Sequence, residues 1–131
     1  MLDFLFSANG RISRAKFWSA LIYYIVGTLI VTALFYVLWM IVPGTIADDG
    51  SFSVTGLAAI PYVVLSIAYL AAMVWSGVCI GVKRYHDRGK SGVWILIQFV
   101  PVIGALWYFI EAGCLRGTLG PNRYGADPVA G

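Results

Sequence analysis

The sequence predicts an all-α, multi-pass membrane protein with three hydrophobic helical segments. Hydrophobic residues make up 60% of the chain and charged residues 11%, outside the range of ordinary water-soluble domains. Apart from Glu111, the few charges are confined to short stretches that flank or connect long apolar runs. A third observation gives an orientation: four of the nine basic residues lie in the connection 83–92, and short Lys/Arg-rich loops stay on the cytoplasmic side of a bilayer. A length of 131 residues leaves room for one integral membrane domain, 1–131. The net charge of +3 comes from basic residues scattered over three stretches, not from one continuous stripe. Membrane lipids with anionic headgroups are therefore the expected acidic partner, and nucleic acid is not.

Residues 1–16 read as a cytoplasmic basic N-terminus carrying Arg11, Arg14 and Lys16, with Ser13 placed to cap the first helix. The first span, 17–42, contains no charge and would be roughly 39 Å long as a helix, enough to cross a hydrocarbon core of about 30 Å with tilt. It exceeds the 7–15 residues or so of a signal-peptide core, so it is expected to remain as a signal anchor. Phe17 and Trp18 at one end and Tyr36 and Trp39 near the other are interfacial anchors. Pro43-Gly44 stops this helix, and the loop 43–55, with Asp48, Asp49 and no basic residue, is assigned to the periplasm. The second span is 56–82, with Pro61 in the first turn, where its missing N–H does no harm. Ala68, Ala72 and Ser76 recur at four-residue spacing, and Gly77 and Gly81 form a GxxxG pattern. Gly77, Gly81 and Ala72 thus offer a packing face to the first helix or to another protein.

The third segment, 93–114, has the length of one span but carries Pro101 to Gly104 at its middle and Glu111 toward its end. A proline-kinked span is expected on general grounds, because re-entrant backbone has to be shielded by protein or line a wet cavity. That topology puts Arg116 and Arg123 of the polar tail 115–131 outside. The alternative is a re-entrant hairpin with its tip at Pro101 to Gly104, which keeps all nine basic residues inside.

The basic loop 83–92 holds the residues most capable of binding. Arg84 and Arg88 share a helical face if the second helix continues, and Lys90 follows a stop at Gly89. Guanidinium forks suit phosphate, so Arg84, Arg88 and Lys90, with Arg11 and Arg14, form a candidate anion or lipid-headgroup site; the alternative is a solvated, topology-setting set of charges. Gly89-Lys90-Ser91 is not the end of a nucleotide-binding P-loop, because the required earlier glycine is Arg84. His86 beside Asp87 invites an acid–base role, yet neighbours on a helix point about 100° apart and no nucleophile is placed near them, so both are read as structuring the loop. No cofactor and no metal site is expected, since a lone histidine and one carboxylate do not complete a ligand set. Cys79 and Cys114 are read as small hydrophobes with no disulfide between them. Glu111, a carboxylate embedded in apolar sequence, is a functional candidate by default, with a structural ion pair as its first reading. Asn122 to Gly125 reads as a turn that docks on the loops.

Three ordered stretches carry a resemblance: Gly10-Arg11-Ile12-Ser13-Arg14 with Phe17-Trp18; Arg84 to Gly92; and Gly120 to Pro128. Together they resemble the signatures of the DUF805 family of small bacterial inner-membrane proteins. Lys16 stands where many members have an acid, and Tyr85 where an aliphatic residue is usual. The resemblance implies a multi-pass protein of the bacterial inner (cytoplasmic) membrane, with no established activity and no catalytic residue to carry over. The expected function is then a non-enzymatic accessory or structural subunit of a membrane assembly, or a homo-oligomer. The alternative is an anionic-lipid or small-anion binding or transport module built on the basic loop.

Overall fold

The computed structural model describes residues 2–42 and 44–129. Contacts divide the chain into two compact units, one of Met1–Tyr23 with Val74–Gly131 and the other of Tyr24–Met73. Helix α1 is Leu2–Phe6, α2 is Arg14–Ile41, a short antiparallel pair follows as β1 (Thr45–Ile46) and β2 (Phe52–Ser53), and a 3₁₀ turn at Gly56–Ala59 leads into α3, Ile60–Asp87. A 3₁₀ stretch Gly92–Phe99, helix α4 (Ile103–Tyr108) and a π-helical turn Phe109–Cys114 complete the order.

Two helices, Arg14–Ile41 and Gly56–Asp87, are long and apolar enough to cross a membrane. In the most apolar stretch of the first, no residue is buried against protein. Leu29, Met40 and Ile41 are each more than 60% exposed, an apolar surface that favours lipid or packed protein over water.

In the smaller unit, the Thr28 and Tyr69 hydroxyls meet at 2.5 Å and Phe35 stacks on Tyr62. The β1–β2 pairing sets Thr45 opposite Ser53, and the Asp49 carboxylate accepts from the Ser51 N–H at 2.8 Å to close the turn. The expected helix stop at Pro43 lies outside the described residues.

In the larger unit, α2 starts where Ser13 places it. The Ser13 hydroxyl accepts from the Lys16 N–H at 3.3 Å, the third helical position. Helix α3 runs five residues beyond the expected span end at Val82 and stops at Gly89, whose φ of +71° suits glycine. The Lys90 N–H reaches the Tyr85 carbonyl and the Gly89 N–H the His86 carbonyl, both at 2.9 Å, as in a Schellman stop. This extension carries Lys83, Arg84 and Asp87 into buried positions.

The third apolar segment is a hairpin and not the through-going kinked span expected of it. Pro101 cannot continue a helix, and Val102 takes a φ of +63°, which reverses the chain. The returning α4 packs on the outgoing 3₁₀ arm so closely that a Cβ on Gly104 would lie 2.0 Å from the Ile97 carbonyl oxygen. Only glycine permits that approach. The same hairpin fills the Gly81 notch, where a Cβ would meet the Ile95 Cδ1 at 2.2 Å and the Tyr108 hydroxyl at 3.2 Å. Gly81 therefore packs against its own chain's hairpin, in place of the first helix or another protein. A Cβ on Gly77 would meet nothing within 4 Å, and Ala72 is half-buried.

Candidate functional site

The hairpin returns to the basic loop, and there Arg11, Arg84 and Lys83 turn inward. A helix ends with carbonyls that have no partner within it. At the end of the π turn, four successive carbonyls are each taken by a side chain from elsewhere: Ala112 O by Arg84 Nε (2.6 Å), Gly113 O by Trp18 Nε1 (3.1 Å), Cys114 O by Arg14 Nη1 (3.0 Å) and Leu115 O by Arg84 Nη2. Arg88 Nη1 donates to Arg116 O at 2.6 Å in the same way. A close approach of Trp18 requires Gly113, where a Cβ would stand 3.0 Å from the indole.

Asp87 is the hub. One carboxylate oxygen receives Arg84 Nη1, three residues back on α3, and the other meets Arg11 Nη2 at 3.0 Å; the three side chains are at most 4% exposed. Arg11 then gathers the tail, donating to the carbonyls of Gly120 (2.8 Å), Gly125 (3.2 Å) and Thr118 (2.7 Å). The Asp87 carbonyl accepts both the N–H and the hydroxyl of Thr118. Gly117 has no room for a side chain, since its Cβ would fall 2.0 Å from the Asp87 carboxylate. His86 stacks flat on Tyr124 at 3.8 Å, its Nδ1 lies 3.2 Å from Gly10 O, and its carbonyl accepts from Asn122 Nδ2 at 2.9 Å. Asn122 and Gly125 close the tail turn through a reciprocal pair of 3.0 Å bonds. Asp127, outside the apolar segments, accepts from the Val129 and Gly120 N–H groups, which hold its carboxyl below the usual range. Two more anchors secure the N-terminus: Lys83 Nζ donates to Asp3 O and Phe4 O, and Trp75 Nε1 to Phe6 O.

Of the five cations read as an anion site, the structure thus brings Arg11, Arg14 and Arg84 together around backbone carbonyls and Asp87. It sets Arg88 and Lys90 apart, on the hairpin side. There Lys90 Nζ lies 2.5 Å from Glu111 Oε1 and over the rings of Trp94 and Trp107, at 4.5 and 5.7 Å from their centroids. Arg88 Nε is 3.7 Å from the same oxygen. Glu111 is 3% exposed and faces the basic loop, as in the hairpin alternative, not Arg116. A pocket of about 320 Å³ opens beside this trio, lined by Arg88, Lys90, Trp107, Ile110, Glu111 and Leu115. Three of its polar atoms, Arg88 Nε and both Glu111 carboxylate oxygens, are buried without a hydrogen-bond partner, and of the two oxygens Oε1 is ion-paired with Lys90. Among the described residues, no group of His, Cys, Asp and Glu is placed to hold a metal, and Cys79 and Cys114 are free.

Residues 5–126 match the family described as "Protein of unknown function (DUF805)". The chain belongs to the DUF805 family. Similar proteins in Escherichia coli K12 include the inner membrane protein YhaI, 43% identical over 72 residues, covering 55% of this chain and 58% of YhaI. The uncharacterized protein YiiR is 26% identical over 95% of this chain and 88% of its own length. The inner membrane protein YhaH is 44% identical over 46 residues, 35% of this chain and 37% of YhaH. The match thus spans less than two thirds of YhaI. No solved structure matches the chain. The names of these relatives and the apolar helices together support an inner-membrane location.

Sequence reasoning missed that Arg11, Arg14, Arg84 and Arg88 are donors to backbone carbonyls of the returning arm and the tail. Their acceptors lie 28 to 114 residues away, and no local pattern marks such a carbonyl.

Proposed function

We propose that this protein is a non-enzymatic phospholipid-binding module of the inner membrane, taking a lipid phosphate at Arg88 and Lys90. The supporting observation is Arg88 Nε, a buried donor without a hydrogen-bond partner at the edge of a pocket whose other walls, Trp107, Ile110 and Leu115, are apolar. A buried donor left unmet is costly, and a phosphate oxygen meets it with a charge-assisted bond. Arg84 and Arg11 leave the anion site, because their guanidinium groups are committed to Asp87 and to carbonyls. In this reading α2 and α3 cross the bilayer, the hairpin dips in from one face, and the N-terminus, the basic loop and the tail share the cytoplasmic side, which keeps every basic residue inside.

Native mass spectrometry of the full chain in detergent, with added phosphatidylglycerol or with diacylglycerol of the same chains, tests the reading. Phosphatidylglycerol retained at one or two copies, with diacylglycerol lost, is the expected result, and Arg88→Gln should abolish the difference. Equal retention of the two lipids would sink it. Gly77 favours a second reading, self-assembly, because a helix of a second copy could approach where a Cβ meets nothing. A change of oligomeric state in Gly77→Ile is its test.

A further inference from the structure

The pocket beside Arg88 has a second unmet need, of the opposite kind. Glu111 sits 3% exposed, and of its two carboxylate oxygens only Oε1 is ion-paired, with the Lys90 ammonium at 2.5 Å and Arg88 Nε at 3.7 Å. Oε2 is buried with no hydrogen-bond partner. A phosphate alone makes this worse, since it brings a second negative charge beside a carboxylate whose free oxygen can only accept. The pocket therefore asks for a ligand that presents an acceptor to Arg88 Nε and a donor to Glu111 Oε2 at the same time.

Geometry narrows the class. The two arms of the pocket are close, with Arg88 Nε 3.7 Å from the Glu111 carboxylate. Acceptor and donor must therefore be joined by a short tether. The ligand also needs an apolar body, because Trp107, Ile110 and Leu115 form the remaining wall and all lie at the end of the hairpin's returning arm. Trp94 and Trp107 flank the Lys90 ammonium, and such rings sit at the level of lipid headgroups. Phosphoethanolamine on a diacyl lipid has each of these features: a phosphate, a two-carbon tether, a primary ammonium with three N–H donors, and acyl chains.

We propose that the Arg88–Lys90–Glu111 pocket is selective for phosphatidylethanolamine, with the lipid phosphate on Arg88 and Lys90 and its ammonium on Glu111 Oε2. The proposal rests on the phosphate reading above and adds the headgroup. Donation, and not charge alone, is what Glu111 reads. Phosphatidylcholine, whose ammonium is fully methylated and donates nothing, therefore binds less tightly, and so does phosphatidylglycerol, whose hydroxyls donate only neutral hydrogen bonds.

The test is native mass spectrometry of the full chain titrated with phosphatidylethanolamine, phosphatidylcholine and phosphatidylglycerol of identical acyl chains. On the unaltered protein, phosphatidylethanolamine is retained about tenfold more tightly than phosphatidylcholine, the factor that one charge-assisted hydrogen bond supplies. Glu111→Gln removes that preference and raises phosphatidylglycerol binding relative to the unaltered chain. Phosphatidylcholine or phosphatidylglycerol bound as tightly as phosphatidylethanolamine by the unaltered chain overturns the headgroup assignment while leaving the phosphate reading standing. Failure of all three lipids overturns both. Because the lipid series is run on the unaltered protein, a misfolded Glu111→Gln leaves the conclusion intact.

Discussion

Replacing Asp87 by asparagine isolates the hub of the polar cluster. The substitution keeps the side chain's shape and one carbonyl acceptor, but it removes the negative charge shared by Arg11 and Arg84 and turns an amide N–H₂ toward one of them. All three side chains are at most 4% exposed, so solvent screening offers little relief. Losing one partner of a buried ion pair costs about 3–5 kcal/mol. Arg11 and Arg84 would keep their carbonyl acceptors at Thr118, Gly120, Gly125, Ala112 and Leu115, which places the expected loss at the lower end, about 3 kcal/mol. Equilibrium unfolding in detergent, followed by tryptophan fluorescence, measures it. Limited proteolysis gives a second readout, since Arg11, released from the Asp87 carboxylate, holds the tail carbonyls less firmly and the tail should become more cleavable. A loss below about 1 kcal/mol, the scale of a solvated surface pair, would refute the reasoning.

Three further predictions follow from the close approaches and the tail. Gly117→Ala should destabilise by about 1–3 kcal/mol, because its Cβ needs the space of the Asp87 carboxylate; unfolding with an unchanged midpoint would contradict this. Gly104→Ala should separate the hairpin arms at Ile97 and cost at least as much, whereas Gly77→Ala should leave the unfolding midpoint of the single chain unchanged or raise it. Asp127 has a depressed pKa in the folded tail, so the stabilisation it provides is full above the ordinary aspartate value of 3.8 and is lost as pH falls through the lower folded value. Amide exchange at Gly120 and Val129 should accelerate in that acid window in the unaltered chain and show no such step in Asp127→Ala.

Much of this anatomy could be read from the sequence where the physics is local. Ser13 is a cap because its hydroxyl reaches an N–H three residues on, and Gly89 ends α3 because glycine tolerates a left-handed φ. The tail turn at Asn122 to Gly125 and its docking near the basic loop also followed from residue type and position. For residues 93–114, the distribution of arginines and lysines pointed to the hairpin while helix statistics pointed to a span. In the structure Pro101, Val102 and Gly104 together turn the chain and let its arms meet, a reversal that helix statistics do not register. What could not be read was pairing at a distance. Arg11 finds Asp87 across 76 positions, and Gly81 finds Ile95 and Tyr108, only because the hairpin brings them there. The division of the cations between Asp87 and Glu111 is equally a product of tertiary structure. So is the inversion of role, from basic residues facing an outside anion to arginines on α2 and α3 taking the carbonyls that end the hairpin's returning arm.

The account depends on the tail lying on the same side of the membrane as the N-terminus and the basic loop. Single cysteines at Asn9 and Ala126, in a Cys79→Ala, Cys114→Ala background, can be probed with a membrane-impermeant thiol reagent in intact and in lysed spheroplasts. Both positions should resist labelling until lysis. Labelling of the Ala126 position in intact spheroplasts, with Asn9 still protected, would place the tail across the bilayer and contradict the hairpin, the Arg11–Asp87 pair and the lipid pocket together.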